Sequence, residues 1–339
     1  MKQIPLGSTG LTATRTGFGA LPIQRVEMKE AVRILRRAYD AGITFFDTAR
    51  AYSDSEEKLG AALSDVRCDI VIATKTTAKN AADFERDLHT SLKMLRTDHI
   101  DIYQFHTPAF VPKPGGADGL YEAALKAKQQ GKISCISITQ HSIDNAFEAV
   151  HSGLYTTLQY PFNHLASARD VELLELCATK NMPFIAMKAL SGGLVTDASI
   201  PFSYIRQFEH AIPIWGIQRM EELEQIIGFE NTEPALDNAM LQKIKLDREQ
   251  LSGAFCRGCG YCLPCPIGIP IQNANRMTQL LTRYPSAQWL TPEWRENMDK
   301  IENCTYCGAC AKRCPYSMKP YETLPQHLEF FRKFATEHP

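Results

Sequence analysis

The chain has 339 residues, 44% hydrophobic and 22% charged, with 37 Lys+Arg against 38 Asp+Glu. That composition fits a soluble globular protein, and the length exceeds what one compact domain needs. The balanced charge excludes a basic footprint for nucleic acid, and no segment reaches the length of a membrane span. The start, Met1-Lys2-Gln3-Ile4-Pro5-Leu6-Gly7, lacks the apolar run of a secretory signal, so the cytoplasm is the expected compartment, with no nucleic-acid or membrane partner.

Residues 3–14 read as a hairpin closing the bottom of a barrel, with Gly7 and Gly10 in its turns. Short apolar runs then alternate with longer amphipathic ones. The apolar runs are residues 15–19, 43–47, 70–74, 100–106, 135–139, 157–159, 183–187 and 212–215. A helical pattern follows each: Phe84, Leu88, Leu92 and Leu95 share one helix face, and Met220, Leu223 and Ile227 share another. Eight strands in strict alternation with helices predict an α/β fold, a parallel (β/α)8 TIM barrel with the helices outside. Residues 233–252 read as a charged amphipathic helix leaving the barrel, and 324–335 as a short final helix. The predicted organisation is a barrel over 1–230, a connecting helix over 231–253, and a small, mainly helical module over 254–339.

In a barrel of this kind chemistry sits at the C-terminal strand ends. The second run ends in Asp47, the third in Thr74-Lys75, and the fourth in Gln104-Phe105-His106. The fifth ends in Thr139-Gln140, the sixth in Gln159, and Tyr52 lies on the loop five residues past Asp47. Taken singly, a strand-end Asp caps a helix and a lone His is a satisfied core residue. Together they suit hydride reduction of a carbonyl, which needs a proton donor for the developing alkoxide. Tyrosine, with an ordinary pKa of about 10, is a poor donor near neutrality. A neighbouring ammonium (Lys75) favours the phenolate, a carboxylate (Asp47) holds the lysine, and His106 orients the carbonyl. Arg50 is a candidate for a substrate carboxylate or a surface ion pair, and Phe110 a candidate pocket wall.

Residues 42–56, Gly-Ile-Thr-Phe-Phe-Asp-Thr-Ala-Arg-Ala-Tyr-Ser-Asp-Ser-Glu, resemble the aldo-keto reductase signature around its catalytic Asp and Tyr. Ile72-Ala73-Thr74-Lys75 and Ile100-Asp101-Ile102-Tyr103-Gln104-Phe105-His106 resemble that family's Lys and His segments. The resemblance, over residues 3–230, implies that Tyr52 is general acid/base, that Lys75 and Asp47 tune it, and that His106 positions the carbonyl. It also implies a nicotinamide held by Thr139, Gln140, Gln159, Met187, Lys188, Gly216, Gln218 and Arg219. Here the chain departs from the family: Thr139-Gln140 stands for its usual Ser-Asn, and Met187-Lys188 for its usual nicotinamide-stacking tyrosine. Arg219, at the start of the last barrel helix, is a candidate for a 2′-phosphate. The basic cluster of NADP-specific members is thin, so NADP(H) and NAD(H) both stay open.

Of eleven cysteines, eight lie between Cys256 and Cys314, the short spacing of metal ligands in a chain without a signal. Cys68, Cys135 and Cys177 are scattered and read as ordinary packing. Cys304, Cys307, Cys310 and Cys314 followed by Pro315 form C-x₂-C-x₂-C-x₃-C-P, the bacterial ferredoxin run. Cys256, Cys259, Cys262 and Cys265 followed by Pro266 form its companion, one residue shorter before the last cysteine. In two-cluster ferredoxins the fourth cysteine of a run serves the other cluster. That assigns Cys256, Cys259, Cys262 and Cys314 to one 4Fe–4S cluster, and Cys304, Cys307, Cys310 and Cys265 to a second. Zinc, the competing metal, favours paired C-x₂-C knuckles instead. The combination resembles an iron–sulfur branch of the aldo-keto reductases. Residues 288–294, with Trp289 and Trp294, are expected to pack the module onto the barrel.

A nicotinamide delivers two electrons as hydride while a cubane passes one, and a flavin would bridge the two. Three functions therefore stand. The first is an NAD(P)H-linked oxidoreductase of a small carbonyl or alcohol. The second is a reductase whose clusters, fed by a ferredoxin-type partner, serve a flavin or substrate in the barrel. The third is a non-enzymatic electron carrier or redox sensor, which would not need the Asp-Tyr-Lys-His set.

Overall fold

All eight apolar runs become strands in the computed structural model, which describes residues 1–251, 255–283 and 286–338. They are β3 (Gly17–Gly19), β4 (Phe45–Asp47), β5 (Val71–Thr76), β6 (Ile100–His106), β7 (Ile133–Thr139), β8 (Leu158–Pro161), β9 (Phe184–Met187) and β10 (Ala211–Gly216). Each pairs in parallel with its sequence neighbours, and β10 closes on β3, giving a closed barrel. Ahead of it, β1 (Gln3–Pro5) and β2 (Thr12–Thr14) pair antiparallel. Leu6 and Ala13 from this hairpin join Phe45, Val71, Ile102 and Cys135 in one interior cluster, so the hairpin plugs the barrel floor as expected. The interior is tight. A Cβ on Gly17 would sit 2.6 Å from the Phe45 ring and 3.0 Å from Ile214, which is why β3 needs a glycine there.

The intervening helices are α1 (Met28–Asp40), α2 (Ser55–Leu63), α3 (Ala81–Leu95), α4 (Leu120–Gln129), α5 (Ile143–Ser152), α6 (Ala168–Thr179), α7 (Ser199–Arg206) and α8 (Met220–Asn231). Side-chain caps fix several starts: Asn80 on α3, Ser142 on α5, and a reciprocal Ser167–Asp170 box on α6. Phe84, Leu88 and Leu95 are buried along the α3 stripe that the periodicity predicts.

By internal contacts the chain divides into two units, Met1–Ala189 with Ser199–Met240, and Leu190–Ala198 with Leu241–Pro339. The second contains α10 (Ile271–Ala274), α11 (Met277–Arg283), α12 (Pro292–Asp299), α13 (Ala309–Lys312) and α14 (Pro320–Glu337). Its own core includes Leu194, Ile269, Met277, Met298, Leu324 and Phe331. Trp289 and Trp294, ring centroids 4.9 Å apart, pack against that same core.

Three expectations need correction. The helix expected over 233–252 is α9 (Asn238–Gln250): Pro234 precedes it, and Asp237 accepts the Met240 amide at 2.9 Å to start it. Ser252 lies outside the described residues. The final helix is 18 residues long, because Pro320 starts it and Pro325 is tolerated near its beginning. Cys135 and Cys177 are buried, but Cys68 is exposed on the turn Ser64–Asp69 and packs no core.

Candidate functional site

The parallel register sets the mouth of the barrel. Lys75 pairs with Gln104, His106 with Thr139, and Thr139 with Gln159. Alternate residues of a strand face one side. Ile102 belongs to the interior cluster, so Gln104 and His106 point inward above it. Lys75 Nζ donates to Asp47 Oδ1 at 2.6 Å and to the Thr48 carbonyl at 2.5 Å. The carboxylate also accepts from Gln159 Nε2 (3.4 Å, on Oδ1) and Gln104 Nε2 (3.3 Å, on Oδ2). All four side chains are buried. Burial pushes the Lys75 amine below the ordinary lysine range, and Asp47 opposes that shift. Burial pushes the Asp47 carboxyl up, with Lys75 and the two glutamines pulling it back.

Tyr52 comes from a tight turn: its amide donates to Ala49 O, and Ser55 N donates to Tyr52 O at 2.8 Å. Thr48 and Ser55 hydroxyls, 2.8 Å apart, and Ser55 Oγ to Ala20 O at 2.9 Å, tie that turn to the strand ends. The half-buried Tyr52 ring has Lys75 Nζ 5.2 Å from its centroid and the His106 ring 5.7 Å away, edge to face at 82°. Burial, then the charges of Lys75 and Lys188, push His106 down to about 3, so its imidazole is neutral near pH 7. The structure thus gathers Asp47, Tyr52, Lys75 and His106 at one mouth. Arg50 pairs with the buried Glu56 carboxylate, and Phe110 is exposed.

The expected cofactor residues fall into two groups. Thr139, Gln140 and Gln159 are buried beside the tetrad, and Met187 reaches the interior cluster. Thr139 Oγ1 accepts the Thr107 amide at 2.9 Å, and Gln140 Nε2 donates to Pro108 O at 3.0 Å. The buried Oε1 of Gln159 has no hydrogen-bond partner among the described residues, as suits a group kept for a ligand. Lys188, at φ +58, is close enough to act on His106. Gly216 and Arg219 are exposed and Gln218 is half-buried, around the α8 N-terminus. Glu222 already accepts the Gln218 and Arg219 amides (2.9 and 3.1 Å) and the Arg219 Nη2 (2.7 Å). A phosphate binding there has to displace this carboxylate.

Sequence reasoning assigned no role to Gln104 or Thr48. The signal for Gln104 was present: two residues before His106, it faces the same interior.

The eight cysteines of the two runs all lie in the second unit. Burial pushes the Cys256 and Cys262 thiols up, Cys262 to about 12, and the charges of Cys259 and Cys314 add to both shifts. Cys314 is thus near enough for its charge to act on two thiols of the first run. Cys265 instead lines a cavity with Cys304, Cys307 and Cys310. Arg313 explains that crossing: its Nη1 and Nη2 donate to Leu263 O (3.1 Å) and Pro264 O (2.8 Å), its Nε to Ala309 O (3.1 Å). The tail of the first run is thereby tied to the second. Among the described residues no group of three or more His, Cys, Asp or Glu converges to hold a single metal ion.

Residues 15–226 match the Aldo/keto reductase family, and residues 255–319 match a 4Fe-4S dicluster domain. The aldo-keto reductase YhdN of Bacillus subtilis is 31% identical over 221 residues, 58% of this chain. The aligned part spans 64% of that relative's length. The NADH-specific methylglyoxal reductase of Escherichia coli is 27% identical over 268 residues, 69% of this chain and 80% of its own. L-galactose dehydrogenase of Arabidopsis thaliana is 31% identical over 215 residues, 58% of this chain and 67% of its own. The crystal structure of an aldo-keto reductase from Klebsiella pneumoniae superposes with a TM-score of 0.63 at 20% identity, over 74% of this chain and 95% of that one. That likeness shows the barrel fold. Among the described residues no helix is long and apolar enough to cross a membrane.

Proposed function

We propose, since this chain belongs to the aldo/keto reductase family, that its barrel reduces a small carbonyl, or oxidises the corresponding alcohol, with NADP(H) or NAD(H). The observation that carries this reading is Lys75 Nζ, held 2.6 Å from Asp47 and 5.2 Å from the Tyr52 ring centroid. The ammonium favours the phenolate, so the Tyr52 hydroxyl gives up its proton more readily as an alkoxide develops. Neutral His106 directs the substrate oxygen toward that hydroxyl. A bound nicotinamide supplies the hydride. Thr139, Gln140, Gln159, Met187 and Lys188 are the residues that would hold its reactive end, and Gly216, Gln218 and Arg219 its phosphates. Relatives named for methylglyoxal reduction and L-galactose dehydrogenation support a small carbonyl or alcohol substrate. The barrel of residues 1–230 is joined through 231–253 to a module over 254–339 holding two 4Fe–4S clusters on the eight cysteines. These exchange electrons with a ferredoxin-type partner. The match of residues 255–319 also favours a second reading, in which a barrel-bound flavin is fed by those clusters.

Anaerobically purified protein separates the two readings. The first expects oxidation of NADPH or NADH by short aldehydes and ketones, with cluster absorbance near 400 nm (roughly) and no flavin band near 450 nm (roughly). A flavin band together with no nicotinamide oxidation would overturn it. Analysis of the same sample is expected to give about eight iron and about eight sulfide per chain, as two cubanes require. Stoichiometric zinc without sulfide would remove the cluster assignment.

Gln104 offers a narrower check. Gln104→Leu removes a hydrogen bond that stabilises the Asp47 carboxylate, so more of its negative charge falls on the Lys75 ammonium and offsets that cation's support for Tyr52 phenolate. The expected result is a kcat lower by about tenfold and an alkaline limb of alcohol oxidation displaced to higher pH. An unmoved pH profile would leave Gln104 with packing alone.

A further inference from the structure

The cysteine segments of the second unit are set apart by charge. From Cys256 to Pro292 the chain has no Asp or Glu, and from Cys304 to Tyr321 it again has none. The second stretch carries Lys312, Arg313 and Lys319, all exposed. The carboxylates that follow Cys256 stand instead on α12, on α14 and in the turn Lys300–Asn303. Lys319 is paired with Glu322 at 3.2 Å, and Arg332 holds Asp299 and Glu302 at 2.5 and 2.6 Å. Among the described residues no carboxylate pairs with Lys312 or Arg313. Arg313 instead donates to the Leu263, Pro264 and Ala309 carbonyls, which fix its guanidinium at the surface.

These cations stand beside the most accessible ligand. Of the eight cysteines in the two runs, Cys307 alone is exposed, and Arg313 lines the same cavity as Cys265, Cys304, Cys307 and Cys310. Tyr306, immediately before Cys307, is 62% exposed. Its ring is held edge-on to Tyr321, with centroids 6.2 Å apart at 76°. An open aromatic beside fixed cations is the composition of an interface centre and not of an ordinary solvated face. Electron transfer falls steeply with distance, so a carrier has to meet the cluster nearest the surface. Opposite charge brings it there and sets its orientation.

We infer that the face formed by Tyr306, Cys307, Lys312 and Arg313 docks an acidic ferredoxin. The electron enters at the cluster on Cys304, Cys307, Cys310 and Cys265. This deepens the electron-exchange reading given above and rests on its two cubanes. One electron leaves the reduced ferredoxin, which is oxidised, and one cubane gains it, with no further reactant.

The test is calorimetric titration of full-length, anaerobic holoprotein with a purified acidic [2Fe–2S] ferredoxin at several ionic strengths. Wild-type protein is expected to bind with a Kd that rises with salt, as attraction between surface charges requires. At low salt Lys312→Glu should raise Kd by about tenfold or more and flatten its salt dependence. Tyr306→Ser, which keeps every charge, should weaken binding by about tenfold. Lys29→Glu, exposed on α1 of the barrel unit, makes the same change in net charge and should leave Kd unmoved. Iron, sulfide and reduction by dithionite should match wild type in each variant, so that the loss is one of docking. Should Lys312→Glu lose iron, Lys312→Gln and Tyr306→Ser carry the test. Unchanged binding in either face variant, equal weakening by Lys29→Glu, or a Kd indifferent to salt would each overturn the inference. So would binding of an acidic flavodoxin in place of the ferredoxin. Wild-type protein without iron and sulfide would fail the cluster reading, whereas intact clusters without binding would fail this inference alone.

Discussion

Tyr52→Phe is expected to lower kcat for carbonyl reduction by about 10²–10⁴-fold, the usual worth of a positioned general acid. The hydroxyl acts on charge that develops only in the transition state, so nicotinamide affinity should stay close to wild type. The ring itself should stay in place, because the backbone turn from Ala49 to Ser55 fixes it and phenylalanine keeps its edge-to-face packing on His106. Rapid-mixing fluorescence of bound nicotinamide measures the affinity, and steady-state turnover of an aldehyde measures the loss. Wild-type turnover would place the proton elsewhere, and the buried Asp47–Lys75 pair would then be a structural ion pair. A variant that lost both turnover and nicotinamide binding would point to a collapsed mouth, and circular dichroism would register that separately.

What the sequence showed of this site depended on periodicity. The run of residues 100–106 has the bounds of β6 because Ile100, Ile102, Tyr103 and Phe105 carry it past Asp101 and Gln104, and Thr107 (φ +49) followed by Pro108 ends it. Asp47, Lys75 and His106 were legible because in a parallel barrel the last inward residue of each strand faces one mouth. Gln104 went unassigned because one polar residue inside an apolar run carries no partner information until the register sets it against Lys75. Boundaries set by single capping groups were harder. Asp237 starts α9 through one side-chain bond, and no hydrophobic pattern marks it. Residues 190–198 were not separable from the barrel by pattern at all. Their place in the second unit rests on one buried leucine, Leu194, and on Gly192 O receiving Arg276.

Cys314→Ala is expected to damage the cluster on Cys256, Cys259 and Cys262 and largely to spare the one beside its own sequence neighbours. The reason is geometric. The charges that raise Cys256 and Cys262 include that of Cys314, while Cys265 shares a cavity with Cys304, Cys307 and Cys310. Arg313, one residue before Cys314, holds Leu263 and Pro264 by their carbonyls and so ties the end of each run to the other. Removing one of four thiolates leaves a cubane with an open iron, which is prone to lose that iron. Electron paramagnetic resonance of the reduced variant, beside Cys265→Ala, should show complementary losses, with iron falling by about four per chain in each if the damaged cubane is lost whole. Arg313→Gln breaks the tie without touching a ligand and should weaken both sites. The barrel has its own core, so carbonyl reduction should persist in all three variants. If Cys314→Ala removed only the cluster on Cys304, Cys307 and Cys310, each run would be self-contained, and Arg313 would brace the fold without directing the thiols.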